Sequence, residues 1–239
     1  MVPVGYEVVT APDNFFYTHA YTMQYGEPFT HTGILGSYAI DDNWSAILGT
    51  VTGSATGGWD GNFNTNLTAW DFIGGGTWTS DEKDYSLNIT STAGPTGGND
   101  NSTWALYSIV GKGNWLDNTL HYVIQHDHGF ANDVLTPTGY QNTQWYGINQ
   151  YLTYDIQDNL GVGLRAEWFR DQDGFRIAGP ARCGASYNLR TPGDAASGYS
   201  YACNGSNWAS YELGGASYYG LTAGVNYKPL KWVTVRPNA

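Results

Sequence analysis

Charge is the scarcest property of this chain: only 13 % of its 239 residues are Asp, Glu, Lys or Arg, against about a quarter in an ordinary soluble domain. Positive charge is scarcer still, with 10 Lys and Arg against 21 Asp and Glu and a net charge of −11. That balance argues against a nucleic-acid-binding face, which is basic, and against docking on an anionic lipid surface. Long apolar runs are also missing. None approaches the about 18 residues that a membrane-spanning helix requires, and mean hydropathy is −0.39. A barrel escapes this objection, because only alternate residues of its strands face lipid. No basic segment followed by an apolar stretch opens the chain, as a signal peptide would. Met1 runs straight into Val-Pro-Val-Gly-Tyr, which reads as the interior of a longer protein. Cysteine occurs twice, Cys183 and Cys203, within one Gly/Ser/Asn-rich stretch. The pair predicts a disulfide of an oxidising compartment, closing a short loop for a gain of about 3 kcal/mol.

Aromatics and glycine are abundant, with 19 Tyr, 10 Trp and 32 Gly. They fall into stretches of period two, the strand period. In Leu160–Trp168 the apolar side chains of Leu160, Val162, Leu164, Ala166 and Trp168 share one face, and Gly161, Gly163, Arg165 and Glu167 share the other. Tyr219, Leu221, Ala223, Val225 and Tyr227 alternate in the same way with Gly220, Thr222, Gly224 and Asn226, as do Tyr85, Leu87 and Ile89 with Ser86, Asn88 and Thr90. Between residues 103 and 113 the alternation does not single out an outer face. Ten strands are expected, at 15–25, 30–40, 44–53, 68–79, 84–94, 103–113, 119–129, 144–154, 160–170 and 211–227, with an eleventh from Trp232.

The connections alternate. Short polar turns at 41–43, 81–83, 114–118, 155–159 and 228–231 alternate with longer Gly/Asn/Thr-rich connections at 54–67, 95–102, 130–143 and 171–210. An outer-membrane barrel sorts its connections this way, with tight periplasmic turns and long extracellular loops. Trp44, Trp78, Tyr85, Trp115, Tyr154, Tyr227 and Trp232 flank the short turns. They read as an aromatic girdle at one membrane interface. The expected fold is therefore an all-β, transmembrane, antiparallel up-and-down β-barrel forming one domain over residues 1–239, with 171–210 as a long extracellular loop carrying the Cys pair. An odd strand count does not close, and closure is required in lipid. The chain is thus expected to be part of a larger barrel, incomplete at both ends.

Several words in this pattern carry a family resemblance. Gly5-Tyr6-Glu7-Val8-Val9, Ala11 to His19, Tyr25 to Gly33, Leu106-Tyr107-Ser108, Gln125-His126-Asp127, Trp145 to Tyr151 and Arg165 to Arg176 resemble, in order, motifs of the β-barrel porin-2 family (BBP2, OmpL-like). The resemblance implies an outer-membrane channel of Gram-negative-type bacteria and a longer parent chain. The Cys183–Cys203 insertion departs from the family pattern, and Ala239 is not the aromatic residue on which outer-membrane barrels commonly end.

Candidates for chemistry are few. His126 and His128 share a strand face and have the spacing for a metal, but no third ligand is evident. Asp171-Gln-Asp-Gly174 has the first half of a calcium loop without its later ligands. A loop-bound divalent cation such as calcium is therefore a minor alternative to the expectation of no cofactor. No Gly-x-Ser-x-Gly elbow occurs and no spacing binds Ser, His and Asp into a triad, so no enzyme is expected. Arg165 and Glu167 sit opposite an apolar face and so should line the lumen. There they either sort permeant ions by their field or brace the wall as a salt bridge. Arg170, Asp173 and Arg176 open the long loop and are expected to fold inward as part of a constriction.

These features lead to an outer-membrane porin, a passive diffusion channel for small hydrophilic solutes or ions. Its expected partners are the lipid bilayer, lipopolysaccharide and further copies of the chain, as a trimer by analogy. Two other classes compete: an abundant structural barrel that anchors the envelope or a surface layer, and a secreted glycan-binding sandwich. If the Cys183–Cys203 disulfide forms, a maleimide will label neither thiol in the denatured protein until a reductant is added, as mass spectrometry will show.

Overall fold

The computed structural model describes residues 4–28, 31–52, 70–95, 103–136, 139–177 and 215–239. Among these residues ten strands follow one another: β1 (Thr32–Ala39), β2 (Trp44–Thr52), β3 (Asp71–Thr79), β4 (Tyr85–Pro95), β5 (Thr103–Trp115), β6 (Leu120–Thr136), β7 (Gly139–Gln157), β8 (Leu160–Asp171), β9 (Ala216–Leu230) and β10 (Val233–Val235). Each pairs antiparallel with the next, giving one up-and-down sheet in chain order. Among the described residues β1 and β10 do not pair, so the sheet is not closed. The last residues fold back along β9, where Ala223 and Ala239 exchange both backbone hydrogen bonds at 2.9 and 3.0 Å.

The alternation in the sequence sets the two faces. On β8, Leu164 is half exposed on the outer face while its neighbours Gly163 and Arg165 are buried on the inner one. The same parity runs through β4 and β9.

The structure changes two of the expected elements. Residues 15–25 do not form a strand. The chain instead makes a 3₁₀ turn at Ala11–Asp13, with Pro12 in its first turn, and a single π-type turn at Thr22–Gly26. The Asn14 side chain accepts from Val8 N–H at 3.0 Å and donates to Val8 C=O at 2.7 Å, folding the segment on itself. Its buried apolar side chains, Phe16, Ala20 and Met23, recur at intervals of three and four, not two, which is a helical spacing. The second change is at 130–143, expected as a long loop. There β6 and β7 continue pairing to Thr136↔Gly139, through a bulge between Ala131 and Val134.

Most of the core lies between segment 4–28 and the inner face of the sheet. One cluster joins Val4, Val51, Ile73, Trp104, Leu106, Ala131, Trp145, Phe169 and Phe175. A second joins Phe16 and Ala20 of the segment to Val110, Val123 and Tyr151. This arrangement explains why residues 103–113 gave no clear outer face. Trp104, Leu106 and Val110 point inward under the segment, and Tyr107 and Ile109 point outward, so both faces of β5 are apolar. Cys183 and Cys203, with most of the 171–210 connection, lie outside the described residues.

Trp145 is fully buried, and its ring lies across Gly129 of the neighbouring strand, where any Cβ would run into it. Trp145→Ala is expected to destabilise the barrel by about 3–5 kcal/mol, read as a lower urea midpoint for the heat-modifiable gel band.

Candidate functional site

The inner face divides into two halves. Towards the short turns of β1–β4 it carries small neutral polar groups: Ser37, Ser45, Thr77, Thr79, Ser86 and Asn88 alternate with the outward Tyr38, Trp44, Trp78 and Tyr85, while Leu35, Ile47, Val51 and Ile73 continue the same face away from those turns. Asn88 donates to Thr77 Oγ1 at 2.8 Å and accepts from Thr90 Oγ1 at 2.9 Å, so the wall is internally tied. Among the described residues of strands β1–β4, Asp71 is the one acidic or basic side chain, and it is buried at the far end of β3.

Over β5–β9 the inner face is covered by segment 4–28. Arg165 of β8 is the main anchor and is 2 % exposed. Its Nε donates to Glu167 at 3.2 Å, and its Nη1 donates to Glu7 at 3.0 Å and to Thr18 C=O at 2.6 Å. Its Nη2 donates to Thr18 Oγ1, His19 C=O and Thr222 Oγ1 at 3.2–3.3 Å. The planar five-donor fork of arginine suits such a junction, where a lysine would supply a single point of contact. Glu7 is held in turn by Tyr151 Oη at 3.1 Å, Ala20 N–H at 2.9 Å and His19 at 3.2 Å. Glu167 accepts the Tyr21 N–H at 2.6 Å. Arg165 and Glu167 therefore sit on the inner face, as the alternation required, but they face the segment.

Sequence reasoning assigned no role to Gln125, Asn149 and Trp145, which extend the same attachment. Gln125 Oε1 accepts the Tyr6 N–H at 3.1 Å, Asn149 Nδ2 donates to Thr22 Oγ1, and Trp145 Nε1 donates to Gly26 C=O at 3.0 Å. The signal available was polar residues at inward parity beside an otherwise apolar β5–β7.

The residues at the start of the long loop part company. Arg176 folds inward, 1 % exposed, stacked 4.5 Å over the Trp145 ring and donating from Nε to Tyr25 C=O at 2.5 Å. Asp173 accepts the Gln144 N–H at 3.0 Å. Arg170 falls on the outer parity with Trp168, its Nε donating to Gln172 at 3.0 Å; its even spacing from Trp168 directs it away from the lumen expected for it. Asp171 accepts backbone N–H groups from Phe175, Arg176 and Ile177 at 2.8–3.0 Å, so the acidic motif is a hydrogen-bonded turn. His126 and His128 do share a face, the outer one, with ring centroids 6.4 Å apart, while Asp127 points inward.

The outer face carries two aromatic rows. Trp44, Trp78, Tyr85, Trp115, Tyr154 and Tyr227 lie at the short-turn ends of their strands, and Trp232 lies in the last turn. Trp44 is paired with Trp78, and Trp115 Nε1 donates to Tyr85 Oη at 2.9 Å. A second row was not foreseen. Tyr107, Phe130, Tyr146 and Tyr219 each stand eight positions from Trp115, Tyr122, Tyr154 and Tyr227 on the same strands. Eight residues span about 26 Å along a strand, comparable with the about 25 Å apolar band of outer-membrane barrels.

An up-and-down sheet with one small polar inner wall and an aromatic-bordered outer face is the architecture of a β-barrel porin. The sequence profile described as Putative beta-barrel porin-2, OmpL-like matches residues 2–239, and the chain belongs to that family. No curated protein and no solved structure shows a significant match to it.

Replacing Arg165 by Met leaves Glu7 and Glu167 buried without their cation. Breaking a buried pair from one side costs about 3–5 kcal/mol. The variant is expected to expose residues 4–28 to limited proteolysis at protease levels that leave them intact in the wild type.

Proposed function

We propose that this chain forms a passive channel of the bacterial outer membrane, through which small hydrophilic solutes diffuse along the β1–β4 wall. The observation that carries this reading is the asymmetry of the inner face. Segment 4–28 packs on β5–β9, and the buried cluster it joins reaches Val51 and Ile73 at the far ends of β2 and β3, while Ser37, Ser45, Thr77, Thr79, Ser86 and Asn88, towards the short turns, lie outside both buried clusters. Hydroxyl and amide groups replace the hydration of a passing solute without fixing it by charge. Selectivity is accordingly weak, since Arg165 and Glu167 are spent on the segment. Family membership supports the outer-membrane location, and the two aromatic rows support a membrane-spanning band bordered on both sides. The bilayer, lipopolysaccharide and further copies of the chain are the partners of this reading, and no cofactor or catalytic step enters it.

A structural barrel with little conduction is the competing reading, favoured by the extent of inner face that the segment covers. Single-channel recording of the full protein in a planar bilayer under a salt gradient separates the two. Steady open steps with a reversal potential close to zero are expected, and Arg165→Met is expected to raise unit conductance or open-channel noise. Insertion without current would leave the structural reading.

A further inference from the structure

Where segment 4–28 meets β6, two carboxyl groups face each other in the interior. Glu27 of the segment and Asp127 of β6 are both 0 % exposed and within hydrogen-bonding reach of one another. Gln125 bridges them. Its Oε1 is committed to the Tyr6 N–H, which fixes the amide orientation, and its Nε2 donates to Glu27 at 2.5 Å and to Asp127 at 2.8 Å. One oxygen of each carboxyl, Glu27 Oε2 and Asp127 Oδ1, accepts no N–H from the described residues. Gly5, at φ 94°, lies so close over the Glu27 carboxyl that a Cβ there would collide with both of its oxygens.

The charged groups packed around the pair are engaged elsewhere. Arg165 of β8 is held between Glu7 and Glu167, and Tyr151 of β7 donates to Glu7. Arg176 stacks on Trp145 and donates to the carbonyls of Tyr25 and Gly26. Lys112 of β5 sits over the Tyr6 ring at 5.0 Å, and Asp171 of β8 is filled by backbone N–H groups. His126 is adjacent in sequence but on the outer face, and His19 is paired with Glu7. From β5, Ser108 stands directly across from Asp127 and is neutral.

Two buried carboxylates in contact cannot both ionise at ordinary pH, because neither water nor a cation screens them. We propose that Glu27 and Asp127 share a single proton, and that this proton latches segment 4–28 to the barrel wall. Burial pushes the Glu27 carboxyl well above the usual carboxylate range, and the neighbouring Asp127 pushes it the same way. The sign follows. A carboxyl whose value is raised by docking favours the docked state at low pH, and loses that contribution as pH climbs through the raised value. Above it, two like charges sit in contact at the segment's last buried turn, and the segment loosens from that end. The latch concerns docking alone and holds whether or not the barrel conducts.

Hydrogen–deuterium exchange of peptides from residues 4–28 tests it, on the full chain folded in detergent and with rates corrected for the intrinsic pH dependence. Between about pH 5 and about pH 9 the wild-type exchange is expected to rise about tenfold or more, the population shift that one pKa unit carries. Glu27→Gln keeps a neutral partner for Asp127 at every pH and is expected to remain protected throughout. Asp127→Asn is expected to do the same and serves if the first variant fails to fold, as judged by heat-modifiable gel mobility. A flat wild-type profile, or a rise that persists in either variant, overturns the latch. Protection restored at high pH by calcium or magnesium chloride, and absent in Glu27→Gln, also overturns it, since the pair would then hold a metal ion. Bilayer recording of the same sample keeps the two readings apart: current without pH-dependent exchange removes the latch, and pH-dependent exchange without current removes the channel.

Discussion

One guanidinium organises the interior. Arg165 projects from β8 into a space where burial would be prohibitive for a lone cation, and it is tolerated because Glu7 arrives from a distant part of the chain. The backbone carbonyls of Thr18 and His19 complete its shell. Those carbonyls are free because residues 15–25 do not enter the sheet. The irregular path of the segment and the buried charge therefore require each other: a strand there would consume its carbonyls in a ladder and leave the fork half empty. Most of the inner core follows from this junction. The segment brings Phe16 and Ala20 against Val110, Val123 and Tyr151, and its far end lies under Trp145 and Arg176.

The strands were legible because their outer faces report one solvent. Leu164, Leu221 and Ile89 alternate with small or polar inward residues, and that pattern survives in the structure with its register intact. The family resemblance, too, was carried by words that the full-length match includes. What was not legible came from the inner face, which has two kinds of neighbour. On β5 the segment supplies an apolar covering, so Trp104, Leu106 and Val110 erase the alternation that would have oriented the strand. The segment itself was read as a strand because its aromatic content resembles one, although Phe16, Ala20 and Met23 keep a helical interval. The β6–β7 extension was hidden by the bulge at Asn132-Asp133, whose Asn, Asp and Gly-rich neighbourhood is the chemistry of a loop.

The same distinction applies to the charged residues. Parity along β8 puts Arg165 and Glu167 on the inner face and sends Arg170 outward. Parity alone does not say what stands opposite an inward side chain. Only contacts about 150 positions away in sequence show that the carboxylate and carbonyls around Arg165 belong to the segment. A local pattern contains no trace of such a partner.

The division of the inner face has a consequence for how the proposed channel would evolve. On the proposed reading, the groups that a solute would meet lie towards the short turns of β1–β4, and the groups that hold the segment lie on β5–β9. A substitution at Ser37 or Thr77 would alter the proposed permeation surface without touching the Arg165 junction, and changes around Glu7 would leave that surface alone. The two properties can drift independently. An architecture of this kind can acquire new permeants by single steps along one wall while its folding remains undisturbed.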